Sequence, residues 1–265
     1  MTTITLPVPQ RTDPGRWQTQ LIFIGRSLRH SARNVDALVM GIALPVILML
    51  LFVYVFGGAI DPSGGYVNYV VPGIILLCAG FGAAGTAVGV ADDMTNGVID
   101  RFRTMPITSS SVITGHVVAS LVRNLVTTAV VIMVALLVGF RPSAGVLEWL
   151  GAFGLVSLWI LAITWLFAAL GLVADSAEAA GNYGFALLFL PYLSSAFVPI
   201  ATLPTWLRGF AEHQPITPVL ETIRGLLVGS TVGPLAFWAV GWCLLIIAAA
   251  MAWAGWLFRR RAGSR

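Results

Sequence analysis

The chain has 265 residues, of which 58% are hydrophobic and only 10% are charged. Soluble domains carry about 25% charged residues, and a soluble core of this size could not bury so much apolar surface. The basic residues are all arginine. The absence of lysine excludes a phosphate-binding P-loop, whose Gly-Lys-Ser/Thr ending needs that side chain. The composition therefore predicts an integral membrane protein that has no means of hydrolysing ATP by itself.

The N-terminal region contains two different segments. Residues 1–15 hold three prolines and are predicted to be disordered. From Trp17 onward, apolar residues recur every three or four positions, while Arg26, Arg29 and Arg33 occupy other faces. Such a basic amphipathic helix is typical of a membrane surface, where its cations meet anionic headgroups. A soluble helix packed on a partner domain is the alternative reading.

Six apolar runs are long enough to cross a bilayer, which takes about 20 helical residues. The first contains Pro45, which a membrane helix tolerates where a neighbour satisfies the freed carbonyl. The predicted fold is therefore an all-α membrane protein with six transmembrane helices, near residues 37–57, 67–91, 115–139, 149–173, 182–200 and 234–257.

Arginine placement predicts the orientation. With a cytoplasmic N-terminus, eleven arginines lie on the cytoplasmic side, and only Arg141, Arg208 and Arg224 lie on the opposite side. This positive-inside bias places both termini in the cytoplasm. Arg123 falls within the third span, where it is expected to reach the inner headgroups or to pair with Asp92 or Asp93. A contact with substrate is the other possible role of Arg123.

The loop between the second and third spans, residues 92–108, is longer than a simple connection requires. Val98, Ile99, Phe102 and Met105 recur at helical spacing among charged residues, and Pro106 ends the pattern. This pattern predicts a short amphipathic helix across the membrane plane. Such a helix can insert its apolar face into a groove on a cytoplasmic partner.

The stretch from Pro191 to about Gly233 predicts two short helices on the outer face. They are too short to span, so they suit a re-entrant or interfacial element protected from lipid by protein. Thr217 is a plausible cap of the second helix with Pro218 at its first position, and Gly229 could end it. Glu221 and Arg224 are three residues apart and could form an ion pair.

Two of these segments resemble one protein family. The loop 96–108 resembles the coupling helix of ABC-2 type exporter permeases, and the nearest match is the daunorubicin-resistance branch with its Gly-x-x-Asp-Arg-Phe-Arg-x-Met-Pro pattern. The outer stretch, with its Phe-x-Pro, Leu-Pro-x-Trp-Leu and Pro-x-Thr-Pro motifs, is similar to the re-entrant outer hairpin of that family. One departure is His116, which follows Gly115 where relatives usually have a basic lysine or arginine. The resemblance implies that residues 16–265 form a single ABC-2 type transmembrane domain.

The resemblance also implies three groups of site residues. ATPase coupling is expected from the loop residues Asp93, Gly97, Asp100, Arg101, Phe102, Arg103, Met105 and Pro106. The outer hairpin is expected to depend on Pro199, Pro204, Trp206, Pro215, Glu221 and Arg224. The interface helix is represented by Trp17, Arg26, Arg29 and Arg33.

The implied function is that of a permease half in the cell inner membrane. It would pair with a second copy or a paralogue and with two cytoplasmic ABC ATPase subunits, which bind the ATP and magnesium. The expected cargo is an amphipathic or hydrophobic drug or lipid, because nothing polar is expected to converge at mid-membrane. Export of a lipid-linked glycan by the same architecture and ATP-independent secondary transport are the alternatives.

Other motifs predict no chemistry. Residues 80–85 match a dinucleotide-binding fingerprint, but they lie within an apolar run rather than a strand–turn–helix unit. The three histidines are far apart in sequence, and Cys78 and Cys243 lie in apolar runs. We therefore expect no cofactor or metal on this chain, no catalytic site and no nucleic-acid partner.

Overall fold

A computed structural model describes residue 25 and the ranges 35–95, 110–230 and 232–262, and within these ranges all regular structure is helical. The segment 1–15, which was predicted to be disordered, most of the predicted interface helix and the predicted coupling residues 97–106 lie outside the described residues. We number the α-helices α1 Val35–Leu50, α2 Gly57–Ile60, α3 Tyr66–Thr95, α4 Ser110–Val138, α5 Val146–Val173, α6 Ala177–Leu187, α7 Thr205–His213, α8 Ile216–Val228 and α9 Leu235–Ala262.

Five helical stretches among the described residues are long and apolar enough to cross a membrane. They are Leu38–Ile60, Tyr66–Thr95, Ile113–Val138, Val146–Val173 and Leu235–Leu257. They match five of the six predicted spans to within a few residues. The ends of the bundle are called here the Asp61 end, where α3 and α5 begin, and the Asp93 end, where α3 and α5 finish.

The first stretch contains two irregularities. Pro45 has no N–H and therefore leaves the Gly41 carbonyl without its helical donor. The thiol of Cys78 on α3 lies 3.8 Å from that carbonyl oxygen, which confirms the predicted compensation by a neighbouring helix. Beyond α1 the backbone continues as a π-helical segment, Leu51–Phe56, before α2.

Helices α3 and α5 form the centre of the bundle, and most of α1, α4 and α9 faces outward. Glycines allow the two central helices to approach closely. A Cβ at Gly171 of α5 would lie only 2.4 Å from the Ala87 carbonyl oxygen of α3. Close approach of helix backbones through small residues is how membrane helices gain packing energy without a hydrophobic driving force.

The predicted fifth span, residues 182–200, is not one long helix. Helix α6 ends at Leu187 and is followed by two 3-10 turns, Leu190–Leu193 and Ile200–Thr202. Pro191 and Pro199 explain the interruption, because proline cannot donate an i to i−4 hydrogen bond and its ring clashes with the preceding turn. The predicted span ran through both prolines to residue 200, whereas the helix ends at Leu187, before the first of them.

We call the chain from α6 to Phe197 the interrupted segment. It nevertheless runs antiparallel to α3 over most of the segment's length. A Cβ at Gly184 would touch Ala84 at 3.3 Å, and one at Gly80 would lie 2.9 Å from Leu188. Nearer the Asp61 end, a Cβ at Gly73 would lie 2.9 Å from Ala196. The two contacts at the ends of this pairing are Val88 with Gly181 and Tyr66 with Phe197. Between Val88 and Tyr66, α3 measures about 33 Å at 1.5 Å per residue. That length equals the hydrocarbon thickness of a bilayer, about 30 Å.

Two short helices follow this segment. Helix α7 has nine residues and α8 has thirteen. Helix α8 begins at Ile216, so Thr217 is not its cap; the Thr217 hydroxyl instead donates to the Ala211 carbonyl of α7 at 2.6 Å. Gly229 ends α8 as predicted, with a left-handed φ of 84° that favours glycine.

Candidate functional site

Arg224 on α8 is the centre of a buried polar network at the Asp61 end. It is only 8% exposed. Its Nη1 donates to Glu221, which confirms the predicted pair, and its Nη2 donates to the Ser195 carbonyl at 2.8 Å. Nε and Nη2 also donate to the Tyr69 carbonyl at 3.2 and 3.1 Å, while the guanidinium carbon lies 3.9 Å from the Tyr69 ring centroid. The charge is thereby paired, and the guanidinium makes four hydrogen bonds.

The partners of Arg224 also bond to one another. Glu221 accepts a hydrogen bond from the Ser195 hydroxyl at 2.5 Å, and the Tyr69 hydroxyl donates to the Ser195 carbonyl at 2.8 Å. One turn earlier on α3, the Tyr66 hydroxyl donates to the Phe197 carbonyl at 2.7 Å. The network therefore joins α3, α8 and the interrupted segment at one point.

The remaining predicted residues of this region shape the backbone around that point. Pro199 accepts from the backbone N–H and hydroxyl of Thr202, and Pro204 accepts the first backbone N–H bonds of α7. Pro215 immediately precedes α8, and Trp206 is 79% exposed. Of the six predicted hairpin residues, only Glu221 and Arg224 bond to each other.

Two further anchors of the short helices were missed by the sequence analysis. Gln214, between α7 and α8, donates to the Leu193 carbonyl at 2.6 Å. Arg208 on α7 donates to the Leu203 and Ala201 carbonyls at 2.8 and 2.7 Å. All three bonds go to main-chain carbonyls in irregular turns, and such partners leave no pattern in the sequence.

At the Asp93 end, the structure gives His116 a partner. Its Nε2 lies 2.7 Å from the Asp93 Oδ2, with the two side chains 23% and 16% exposed. This contact joins the last turns of α3 to the first turns of α4, on either side of the loop that carries the predicted coupling residues. Asp93 is the single member of that predicted set within the described residues.

A polar seam lies halfway along α3 and α4. Arg123 Nη2 donates to the Gly82 carbonyl at 2.9 Å, a backbone contact that was not among the predicted roles of Arg123. The fully buried Asn124 side chain fills the space opposite Gly82, and Asn124 Nδ2 donates to the Ser120 hydroxyl at 3.2 Å. The expectation that nothing polar converges at mid-membrane is therefore wrong. Ser120, Asn124 and Thr127 share one face of α4, and that spacing was the available signal.

An exposed turn closes the Asp61 end between α2 and α3. Asp61 accepts hydrogen bonds from the backbone N–H and the hydroxyl of Ser63, at 3.0 and 2.5 Å. These bonds stabilise the carboxylate and so lower the pKa of Asp61 below its ordinary value. The turn is polar and exposed, as a connection between two membrane helices should be.

Long apolar helices around a close-packed centre define a multi-pass α-helical membrane protein. Residues 19–228 match the family model of the ABC-2 type transporter. The chain belongs to the ABC-2 type transporter family.

Individual relatives agree with this assignment. The chain is 30% identical to the daunorubicin resistance ABC transporter permease protein DrrB1 of Streptomyces coeruleorubidus, over 80% of this chain and 74% of the relative. It is 25% identical to the probable doxorubicin resistance ABC transporter permease protein DrrC of Mycobacterium tuberculosis, over 88% and 89% of the two chains. It is 24% identical to the ABC transporter G family member 20 of Dictyostelium discoideum, over 63% of this chain but 23% of the relative.

Proposed function

We propose that this chain is the membrane-spanning permease subunit of an ATP-driven exporter, which moves amphipathic or hydrophobic compounds out of the cytoplasm or the inner leaflet. The observation that carries the proposal is the similarity to two drug-resistance ABC permeases over at least 80% of the chain. The chain itself contains no lysine and therefore no P-loop. ATP and magnesium would bind to two cytoplasmic ABC ATPase subunits, and a second permease copy or a paralogue would complete the complex.

The proposed topology has six crossings, with both termini in the cytoplasm. The arginine bias supports this orientation and makes the Asp93 end cytoplasmic. The interrupted segment from α6 to Phe197 would supply the sixth crossing, because it follows α3 for about the thickness of a bilayer. Non-helical backbone at membrane depth is tolerated where protein covers it, and Pro191, Ser194 and Ser195 are buried.

The energy of ATP hydrolysis would be transmitted to this chain at its cytoplasmic end. The loop between α3 and α4 carries the motif that resembles a coupling helix, and ATP-driven closure of the ATPase subunits would push on it. The contact of Asp93 with His116 lies at the base of this loop and would tie both flanking helices to one movement. A rigid connection of this kind transmits a displacement, which a flexible loop does not.

At the outer end, α7 and α8 would form the re-entrant hairpin that covers the exit. The Arg224 network supports this assignment, because it fixes α8 to both α3 and the interrupted segment. Opening of the exit would require Arg224 to exchange its hydrogen-bond partners on α3 and on the interrupted segment. The buried charge would make intermediate positions costly, so the exit would favour two discrete states.

The test is reconstitution of the chain with its cognate ATPase in liposomes, with ATP hydrolysis and ATP-dependent movement of a hydrophobic dye as readouts. An ATPase variant without its P-loop lysine serves as the negative control. Phe102→Ala should leave the complex inserted but remove stimulation of ATP hydrolysis by the dye, because the side chain contributes about 1.5–3 kcal/mol when buried. Arg101→Ala should weaken association in a salt-dependent way.

Each outcome has a clear meaning. Dye movement that persists with the inactive ATPase would indicate secondary transport instead. Movement of a lipid-linked glycan but of no dye would favour the glycan alternative. Full stimulation in Phe102→Ala would remove the loop from the proposed mechanism.

A further inference from the structure

A continuous series of aromatic rings runs along the interrupted segment and onto the first membrane helix. Neighbouring ring centroids lie 5.1, 6.1, 4.8, 4.2 and 5.6 Å apart in turn. All five spacings lie in the range of favourable aromatic contacts, about 4.5–7 Å, or just below it. We call this series the aromatic ladder, and its members in spatial order are Phe185, Phe189, Tyr192, Phe197, Phe52 and Phe56.

The ladder extends along the half of α3 that lies between its middle and the Asp61 end. Its first rings flank Leu188, which packs on Gly80 near the middle of α3. At the other end, the carbonyl of Phe197 accepts the hydrogen bond of Tyr66 at the start of α3. The distance from Gly80 to Tyr66 is about 21 Å of helix. The ladder therefore leads from the middle of the bundle to its Asp61 end.

Two irregular backbone segments bring these rings into one line. Phe52 and Phe56 belong to the π-helical segment that follows α1. Tyr192 belongs to the 3-10 turn that contains Pro191, and Phe197 lies in the irregular turn before Pro199. π-Helical segments are rare and occur frequently at functional sites. If both segments were regular α-helices, the rings would point in other directions around the helix axes.

The ladder combines a buried centre with exposed ends. Phe197 is 4% exposed and is stacked between Tyr192 and Phe52, at interplanar angles of 12° and 28°. Phe185 and Phe189 are 60% and 51% exposed and form a T-shaped pair at 85°. Phe56 at the far end is 44% exposed. Free ring faces and edges are thus available at both ends of a rigid stacked centre.

We propose that the aromatic ladder is a contact surface for planar aromatic compounds as they move between mid-membrane and the Asp61 end. The proposal rests on the function proposed above, because it supplies that permease with a cargo path. A planar ring fits this surface better than an alkyl chain of equal hydrophobicity, because it continues the stacked and edge-to-face series. Lipid tails gain nothing from ring geometry, so they would leave the exposed rings readily.

The test compares two cationic probes on the purified full chain in nanodiscs. Ethidium is planar and aromatic, whereas dodecyltrimethylammonium is an aliphatic cation of the same charge. Phe189→Leu and Phe185→Leu should each weaken ethidium binding about 2- to 10-fold, the range expected for loss of one aromatic pair. Binding of the aliphatic probe should stay within about 2-fold. The matched control is Phe153→Leu on α5, where the phenylalanine is 59% exposed and lies off the ladder.

A loss of affinity that is equal for both probes, or equal in Phe153→Leu, would overturn the proposal. Conversion of a dimer to a monomer in Phe185→Leu, with unchanged ethidium affinity, would identify the ladder as an interface between copies instead. The proposed function alone would be wrong if the wild-type complex shows no ATP-dependent transport while the ladder variants still lose ethidium binding selectively. The ladder fails alone if ATP-driven ethidium export is intact in every ladder variant.

Discussion

The guanidinium of Arg224 lies over the ring of Tyr69, with its carbon 3.9 Å from the ring centroid, although 155 positions separate the two residues. The same guanidinium donates to the main-chain carbonyl of Tyr69. One side chain on a thirteen-residue helix therefore contacts both the ring and the backbone of the central membrane helix. This relationship makes Arg224 a direct link between α8 and the central helix α3.

Removal of that link should be costly. Arg224→Ala removes the cation that pairs with Glu221 and the guanidinium donors to the Tyr69 and Ser195 carbonyl oxygens, and loss of a buried pair costs about 3–5 kcal/mol. Glu221 is 29% exposed, so the lower end of this range applies. The melting midpoint of the detergent-solubilised chain should fall by roughly 5–10 °C.

Exchange of the two charges, Glu221→Arg with Arg224→Glu, should not restore stability. A carboxylate at position 224 cannot donate to the Tyr69 and Ser195 carbonyls, although it could pair with position 221. Recovery of the melting midpoint in the exchanged variant would show that the ion pair alone matters. Arg208→Ala, which loses bonds to exposed turns, provides a comparison with a smaller expected effect.

Close packing of α3 and α5 gives a second prediction. A Cβ at Gly171 would lie 2.4 Å from the Ala87 carbonyl oxygen, well inside van der Waals contact. Gly171→Ala should therefore separate the two backbones and lower stability by about 1–3 kcal/mol. Gly154→Ala on the same helix is the matched control, because a Cβ there has nothing within 4 Å. Equal melting midpoints for the two variants would contradict the packing argument.

A third prediction concerns the base of the coupling loop. His116→Ala should change the melting midpoint little, because a partly exposed polar contact of this kind contributes about 0.2–1 kcal/mol. It should nevertheless reduce the stimulation of ATP hydrolysis by substrate, since α3 and α4 are no longer joined beside the loop. His116→Arg keeps an N–H donor that can reach Asp93 and should retain most of the stimulation.

A double variant tests whether His116 acts through Asp93. His116→Ala combined with Asp93→Asn should lose no more stimulation than either single variant, because both remove one shared contact. Additive losses would mean that the two residues act separately. Reconstituted complexes at equal protein density provide the measurement.

The orientation gives a fourth prediction. Single cysteines at Ser63 and Ser143, both in exposed loops, should react with a membrane-impermeant maleimide added to intact cells. The background lacks Cys78 and Cys243, which are both buried. A cysteine at the exposed Asp175, between α5 and α6, should react only after permeabilisation. The reverse pattern would place both termini outside.

Several features of the fold could be predicted because they depend on local properties of the chain. Length and hydropathy place the five long helices, since a membrane helix satisfies its own backbone hydrogen bonds and needs only an apolar exterior. The pairing of Glu221 with Arg224 is similarly local, because residues three apart lie on one helix face. The position of Gly229 at the C-terminal end of α8 follows from the freedom of glycine to adopt positive φ.

The tertiary structure alone decided where these elements meet. Tyr69, Ser195 and Arg224 come from three distant segments, and most of their bonds use main-chain carbonyls that no residue type reveals. The aromatic ladder likewise depends on a π-helical segment and two proline turns. The angles between its rings follow from the packing of these segments against α3. The arrest of α6 at Leu187 shows the same limit. Hydropathy is averaged over a window and cannot detect a break in a segment that stays apolar throughout, because hydropathy measures transfer from water rather than backbone hydrogen bonding.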